Sequence, residues 1–190
     1  MSEAFLASIA VVALAEIGDK TMLLAILLAA RLRAPWQILG GIFAATVVNH
    51  GLSALLGREL AGLVDAPWFR VAVALGFIAM ALWTLIPDKL DDENSFAHRG
   101  GPFLTTLVAF FLVEIGDKTQ VATIALGAQY HSVLAVAFGT TIGMMIANTP
   151  AVFLGEKIVE RVSLKATRIA AAAIFLLLGL LELGRIVGWV

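Results

Sequence analysis

The chain has 190 residues, 61% hydrophobic and 14% charged, with a mean hydropathy of +0.97. A soluble domain is nearer half apolar and more charged, and its apolar residues are interleaved with polar ones; here they come in long runs, which predicts an integral membrane protein. A formal net charge of −1 without a basic patch interleaved with aromatics argues against nucleic-acid binding, and the absence of cysteine removes disulfides and thiolate metal sites.

The first stretch, "MSEAFLASIAVVALAE", carries Glu3 where a secretory signal would be positive, and its apolar run continues. The first helix is therefore expected to stay in the mature protein. A bilayer core takes about 20 apolar residues in helical form. Six such segments are predicted, over 5–30, 37–57, 68–86, 103–127, 133–155 and 166–187. They are separated by breakers and charges: "RLRAPW", "GRELAGLVDAP", the long polar "PDKLDDENSFAHRGGP", "GAQYHS" and "EKIVERVSLK". Trp36, Trp68 and Trp189 fall near span ends, as interfacial anchors do.

The chain repeats itself. "EIGDKT" occurs at Glu16–Thr21 and again at Glu114–Thr119, 98 positions later. Gly40 and Asn49 are matched with Gly139 and Asn148 by their common nine-residue spacing; Gly57 and Gly155 close the second spans, and Arg70 and Arg168 open the third ones. The expected organisation is an all-α membrane protein of six transmembrane helices in two three-helix halves, 1–86 and 103–190, joined by an acidic linker over 87–102. Three is odd, so the second half enters from the opposite side, which makes an inverted repeat of the kind found in secondary transporters. Arg31, Arg33, Lys89, Arg99, Lys157, Arg161 and Lys165 lie in the odd-numbered loops. The positive-inside rule then puts both termini in the periplasm of a bacterial inner membrane and the central loop in the cytoplasm.

Each hexapeptide places three ionisable groups mid-span, where an Asp, Lys or Arg is unfavourable by about 2.5–3.5 kcal/mol. Pairing, water or a bound ion must offset that. On a continuous helix Glu16, Asp19 and Lys20 share one face, as do Glu114, Asp117 and Lys118. Gly18 and Gly116 permit close approach or local unwinding that frees carbonyl oxygens. Two such faces meeting near the midplane would give a cation site of Glu16, Asp19, Glu114 and Asp117. Lys20, Thr21, Asn49, Lys118, Thr119, Gln120 and Asn148 would support it. Four carboxylates and two ammonium groups leave a charge of −2, which suits one dication or two protons. An oxygen set without His or Cys suits Ca²⁺ or Mn²⁺ rather than zinc or copper.

The doubled Glu-x-Gly-Asp-Lys-Thr motif in a six-span chain of this size resembles the GDT1/TMEM165 family, over nearly the whole length. The resemblance implies a prokaryotic member, a cation/proton exchanger handling Mn²⁺ and Ca²⁺. It also implies that the acidic motif residues bind the ion, here Glu16, Asp19, Glu114 and Asp117. The expected function is a secondary active antiporter, not an enzyme, that exports a divalent cation against protons. It holds no permanent cofactor and works in the lipid bilayer, as a monomer or a homo-oligomer. Two other readings are an exporter of a small organic cation such as a basic amino acid, and a non-transporting scaffold whose charges pair for assembly. Asn49 and Asn148 serve equally as interhelical glue or at the site. His50 reads as a packing residue in preference to a proton relay, Glu182 is expected to pair with Arg185, and Pro150 to bend the fifth span. The "DKLDDENS" loop lacks the ligand spacing of an EF-hand and reads as a solvated acidic linker. No phosphate-cradling loop or Ser-His-Asp set is present.

Overall fold

The computed structural model describes residues 2–63, 67–86, 100–155 and 163–188. The acidic loop, most of 156–165 and Trp189 lie outside these. Among the described residues there are eight α-helices and no strand: α1 Ser2–Glu16, α2 Lys20–Leu32, α3 Pro35–Leu63, α4 Pro67–Thr84, α5 Gly101–Glu114, α6 Lys118–Tyr130, α7 Val133–Leu154 and α8 Leu164–Val187. Three of them, over Pro35–Ala61, Val133–Leu154 and Lys165–Val187, are long and apolar enough to cross a bilayer; Trp68–Thr84 and Gly101–Glu114 are shorter apolar helices.

The first and fourth predicted spans are not continuous helices. Each is interrupted inside its hexapeptide. Glu16 ends α1 and Lys20 begins α2; Glu114 ends α5 and Lys118 begins α6. The physical reason is the glycine between. Gly18 (φ 85°) and Gly116 (φ 78°) sit in the left-handed region, where a side chain is strained and an α-helix cannot continue. The two breaks are stitched alike, the Asp19 N–H donating to the Glu16 carbonyl at 3.0 Å and the Asp117 N–H to the Glu114 carbonyl at 3.1 Å. The shared-face geometry expected of an unbroken helix is therefore replaced by a turn. Pro150, by contrast, is carried inside α7 without interrupting it.

Helix ends recur at the same offset of 98. Arg33 closes α2 and His131 closes α6, both in the left-handed region, their N–H groups reaching the carbonyls of Ala29 and Gly127. Packing recurs as well. A Cβ on Gly41 would lie 2.7 Å from the Phe103 carbonyl oxygen and 2.8 Å from the Thr106 Cβ. A Cβ on Gly139 would lie 2.7 Å from the Phe5 carbonyl oxygen and 2.7 Å from the Ser8 Cβ. Glycine lets α3 meet α5, and α7 meet α1, backbone to backbone. Phe5 and Phe103 are 98 apart, and so are Gly41 and Gly139, which corrects the expected match of Gly40 with Gly139. His50, not Asn49, then stands opposite Asn148.

Two apolar clusters hold the helices together. One joins Val12, Met22, Leu24, Leu28, Ile38, Ile42, Phe110 and Met144 from α1, α2, α3, α5 and α7. The other joins Val11, Phe77, Met80, Leu126 and Phe175 from α1, α4, α6 and α8, with Phe77 and Phe175 stacked at 6.5 Å. Many large apolar side chains point outward, among them Leu52, Leu82, Phe138 and Leu177. Exposure on that scale is unfavourable in water and natural against acyl chains.

Candidate cation site between two helix breaks

Both motifs put their acids at helix ends. Glu16 and Glu114 are last residues of helices; Asp19 and Asp117 occupy the N-cap positions of α2 and α6 with extended backbone (ψ 170° and 164°). An N-cap aspartate ordinarily accepts from the first-turn N–H groups. Neither side chain makes the usual cap hydrogen bond, and the positive ends of α2 and α6 stand beside both carboxylates. The threonine of each motif bridges its break. Thr21 Oγ1 donates to Glu16 Oε2, and Thr119 Oγ1 donates to Glu114 Oε1 at 2.7 Å and to Asp117 Oδ2 at 3.2 Å. The spacing Glu-x-Gly-Asp-x-Thr thus has a mechanical meaning: acid, left-handed turn, acid, and a hydroxyl that reaches back five residues.

The two breaks come together. Glu16, Asp19 and Asp117 each offer a carboxylate oxygen, and these lie within 4.8 Å of one another, all buried. Glu16 is fully buried, and its Oε1 has no hydrogen-bond partner among the described residues. Glu114 is buried too, but its carboxylate is not one of this group of three; it accepts from Thr119 and faces His50. Lys20 Nζ reaches across to Asp117 Oδ1 at 2.9 Å, so the ammonium of the first motif neutralises an acid of the second. Lys118 Nζ donates to the Ile86 carbonyl at 3.0 Å. A small cavity touches the site, lined by Ala15, Ile17, Gly18, Asp19, Thr84, Lys118 and Arg168.

The supporting residues divide. Thr21, Thr119 and Lys20 are at the acids. Gln120 instead accepts the Gly116 N–H at 2.6 Å, so its side-chain oxygen caps the break. Asn49 Nδ2 donates to the Phe111 carbonyl at 3.2 Å, tying α3 to α5 as interhelical glue. Asn148 Nδ2 donates to the Met144 carbonyl at 3.1 Å on its own helix, and its Oδ1 is buried with no partner among the described residues. His50, expected only to pack, has its Nε2 3.1 Å from Glu114 Oε1. The signal that would have found it is its 98-residue offset from Asn148. Glu182 does pair with Arg185 at 3.5 Å, and more closely with Arg70 at 2.8 Å and Gln129 at 2.8 Å.

Three buried carboxylates with one ammonium on Asp117 leave an excess of negative charge, which protons or a further cation would offset. An all-oxygen set with threonine hydroxyls nearby fits a hard divalent ion. Comparison with known proteins agrees with that chemistry. A family model described as "Divalent cation/proton antiporter GDT1" matches residues 4–92 and 102–186. A Vibrio cholerae protein described as "Putative manganese exporter" is 49% identical over 174 residues, covering 91% of this chain and 86% of its own. A GDT1-like protein of Synechocystis is 30% identical over 200 residues (93% and 95%), and GDT1-like protein 5 of Arabidopsis thaliana is 28% identical over 222 residues (95% and 95%). No solved structure matches. Two helix breaks that gather acids inside apolar helices, and a family match over both halves of the chain, lead to one conclusion: the chain belongs to the GDT1 family of divalent cation/proton antiporters, which are membrane transporters and not enzymes.

Proposed function

We propose that the chain exchanges Mn²⁺ or Ca²⁺ for protons across a bacterial inner membrane, moving the metal out of the cytoplasm. The observation that carries the proposal is the convergence of Glu16, Asp19 and Asp117 within 4.8 Å, with one buried Glu16 oxygen not engaged in a hydrogen bond among the described residues. Metal and protons compete for those oxygens, and the competition is the coupling. Dication and protons then cross in opposite directions because the site is stable only when it holds one or the other.

In this reading the path is built from six spans. α1 with α2, and α5 with α6, each form one discontinuous span; α3, α4, α7 and α8 are the others. α1 has 15 residues and α2 has 13. At 1.5 Å per residue each reaches about 20 Å, short of a hydrocarbon core of about 30 Å, so only the two together would cross. The recurrence of helix ends and glycine contacts at one offset supports an inverted pair of three-helix halves, with alternating access by one half rocking against the other. The loop charges favour periplasmic termini and a cytoplasmic central loop.

The organic-cation alternative would need an anion-binding element for a substrate carboxylate. Its candidates were Lys20 and Lys118, and the structure engages them with Asp117 and the Ile86 carbonyl. Nothing in the relatives favours it. The test is flux in proteoliposomes under an imposed pH gradient. Mn²⁺ or Ca²⁺ accumulation should follow the gradient, reverse with it, and vanish in Glu16→Gln. Metal flux indifferent to the gradient would remove proton exchange; no metal flux in wild type would remove the transporter reading.

A further inference from the structure

The offset that aligns the two breaks sets His50 opposite Asn148, and there the halves differ. His50 is fully buried on α3, and its Nε2 lies 3.1 Å from Glu114 Oε1. With Glu114 ionised that oxygen can only accept, and the imidazole Nε2–H donates to it. Its other nitrogen, Nδ1, has no partner among the described residues, which makes the bond to Glu114 the ring's polar anchor. Asn148 makes no equivalent reach. Its Nδ2 stays on the Met144 carbonyl of its own helix, and Glu16 is left with Thr21 on Oε2 and an unengaged Oε1. The outcome is unequal acids. Glu16 stands with Asp19 and Asp117, whereas Glu114, doubly held by His50 and Thr119, is not in that group.

We propose that His50 is a positioning residue that sets which dication the site prefers, by holding Glu114 out of the carboxylate cluster. Ca²⁺ takes six to eight oxygens in flexible geometry and uses bidentate carboxylates, whereas smaller divalent ions are satisfied by six. Three carboxylates with threonine hydroxyls and water suit the smaller ion. A released Glu114 would add up to two charged oxygens and move the preference toward Ca²⁺. His50 thus tunes the site for Mn²⁺ without contacting the ion. This inference rests on the divalent-cation reading of the same site.

The test is equilibrium binding of Mn²⁺ and of Ca²⁺ to purified full-length protein, read as the ratio of their Kd values, beside flux of both ions in proteoliposomes. His50→Leu removes the donor; His50→Asn is too short to reach and places the same residue in both halves. His50→Gln restores an amide nitrogen at a reach similar to Nε2. The first two should shift the ratio toward Ca²⁺ by about tenfold, as expected when a site gains a carboxylate ligand. His50→Gln should stay near wild type. A merely structural histidine would weaken both ions alike, leave the ratio unchanged in His50→Leu and His50→Asn, and gain nothing from Gln; any of these results overturns the proposal. Failure of the transport reading shows separately, as wild-type protein that binds metal but carries no flux.

Discussion

The smallest feature on which the site depends is the left-handed glycine. At Gly116 a Cβ would meet nothing within 4 Å, so Gly116→Ala tests backbone conformation alone. The strain is about 1–2 kcal/mol. Because it falls where Glu114 and Asp117 are aimed, the expected result is a several-fold loss of Mn²⁺ flux with a modest fall in thermal stability. Gly116→Asn should lose less, since Asn visits that region more readily. Equal behaviour of Ala and Asn in flux and melting would show that the turn does not set the acids. At this scale much of the site was readable in the sequence. The three acids that the structure gathers, Glu16, Asp19 and Asp117, the threonines beside them and the special role of the glycine follow from two charged hexapeptides in apolar surroundings; the expected fourth ligand, Glu114, lies outside that group. His50 was not readable, and the reason is local. Gly40 and Gly41 are both glycine, and Asn49 adjoins His50, so matching Asn49 with Asn148 slides the second span by one residue. One residue is about 100° around a helix at 3.6 residues per turn, enough to turn the histidine away from the site on paper.

Between helices, the determining contacts are glycine against backbone. A methyl at Gly143 would lie 2.8 Å from the Ile9 carbonyl oxygen and 2.9 Å from the Ala13 nitrogen. Neither neighbour is a flexible tip that could yield. Gly41→Ala and Gly143→Ala should each destabilise by about 1–3 kcal/mol, through overpacking. Both should also lose transport, because α1 and α5 carry the acids at their ends. Gly76→Ala is the contrast: it meets nothing within 4 Å in the helical α4, and should be neutral or stabilising by about 0.5–1 kcal/mol. Melting of the purified variants in one detergent separates the two classes. A second inter-helix device is Glu182, which joins α8 to Arg70 of α4 and Gln129 of α6. Its partner Arg185 is legible in the sequence, because a spacing of three is visible on one helix; Arg70, 112 positions away, is not. Long-range partners of this kind become legible only once helix neighbours are known. Similarly, the all-helical, apolar character of the chain was legible from its apolar runs. The splitting of two of them was legible only as a permission granted by glycine, since hydropathy does not register a turn of three residues.

For the molecule as a whole, the proposed site would link metal, protons and stability. The buried carboxylates outnumber the ammonium group that meets them, and a dication among them would offset the remaining repulsion. A ligand that binds the native state stabilises it by RT ln(1 + [L]/Kd), about 2.7 kcal/mol at a hundredfold excess over Kd. Mn²⁺ should therefore raise the melting temperature of wild-type protein in a saturable way, and Glu16→Gln and Asp117→Asn should abolish the increment. The pH dependence has a fixed sign. Protons occupy the oxygens the metal needs, so lowering pH must raise the apparent Kd, by up to about tenfold per pH unit for each proton displaced. The increment at fixed Mn²⁺ should shrink toward acid pH and be restored by more metal. A plain structural ion pair behaves differently: its stabilisation would not depend on Mn²⁺, and more metal would not recover what acid removed. In the proposed exchange the same linkage would give transport its direction: the more acidic side would discharge the metal, and the site would return carrying protons. An increment independent of pH would separate metal binding from proton binding and leave the chain without a means of exchange.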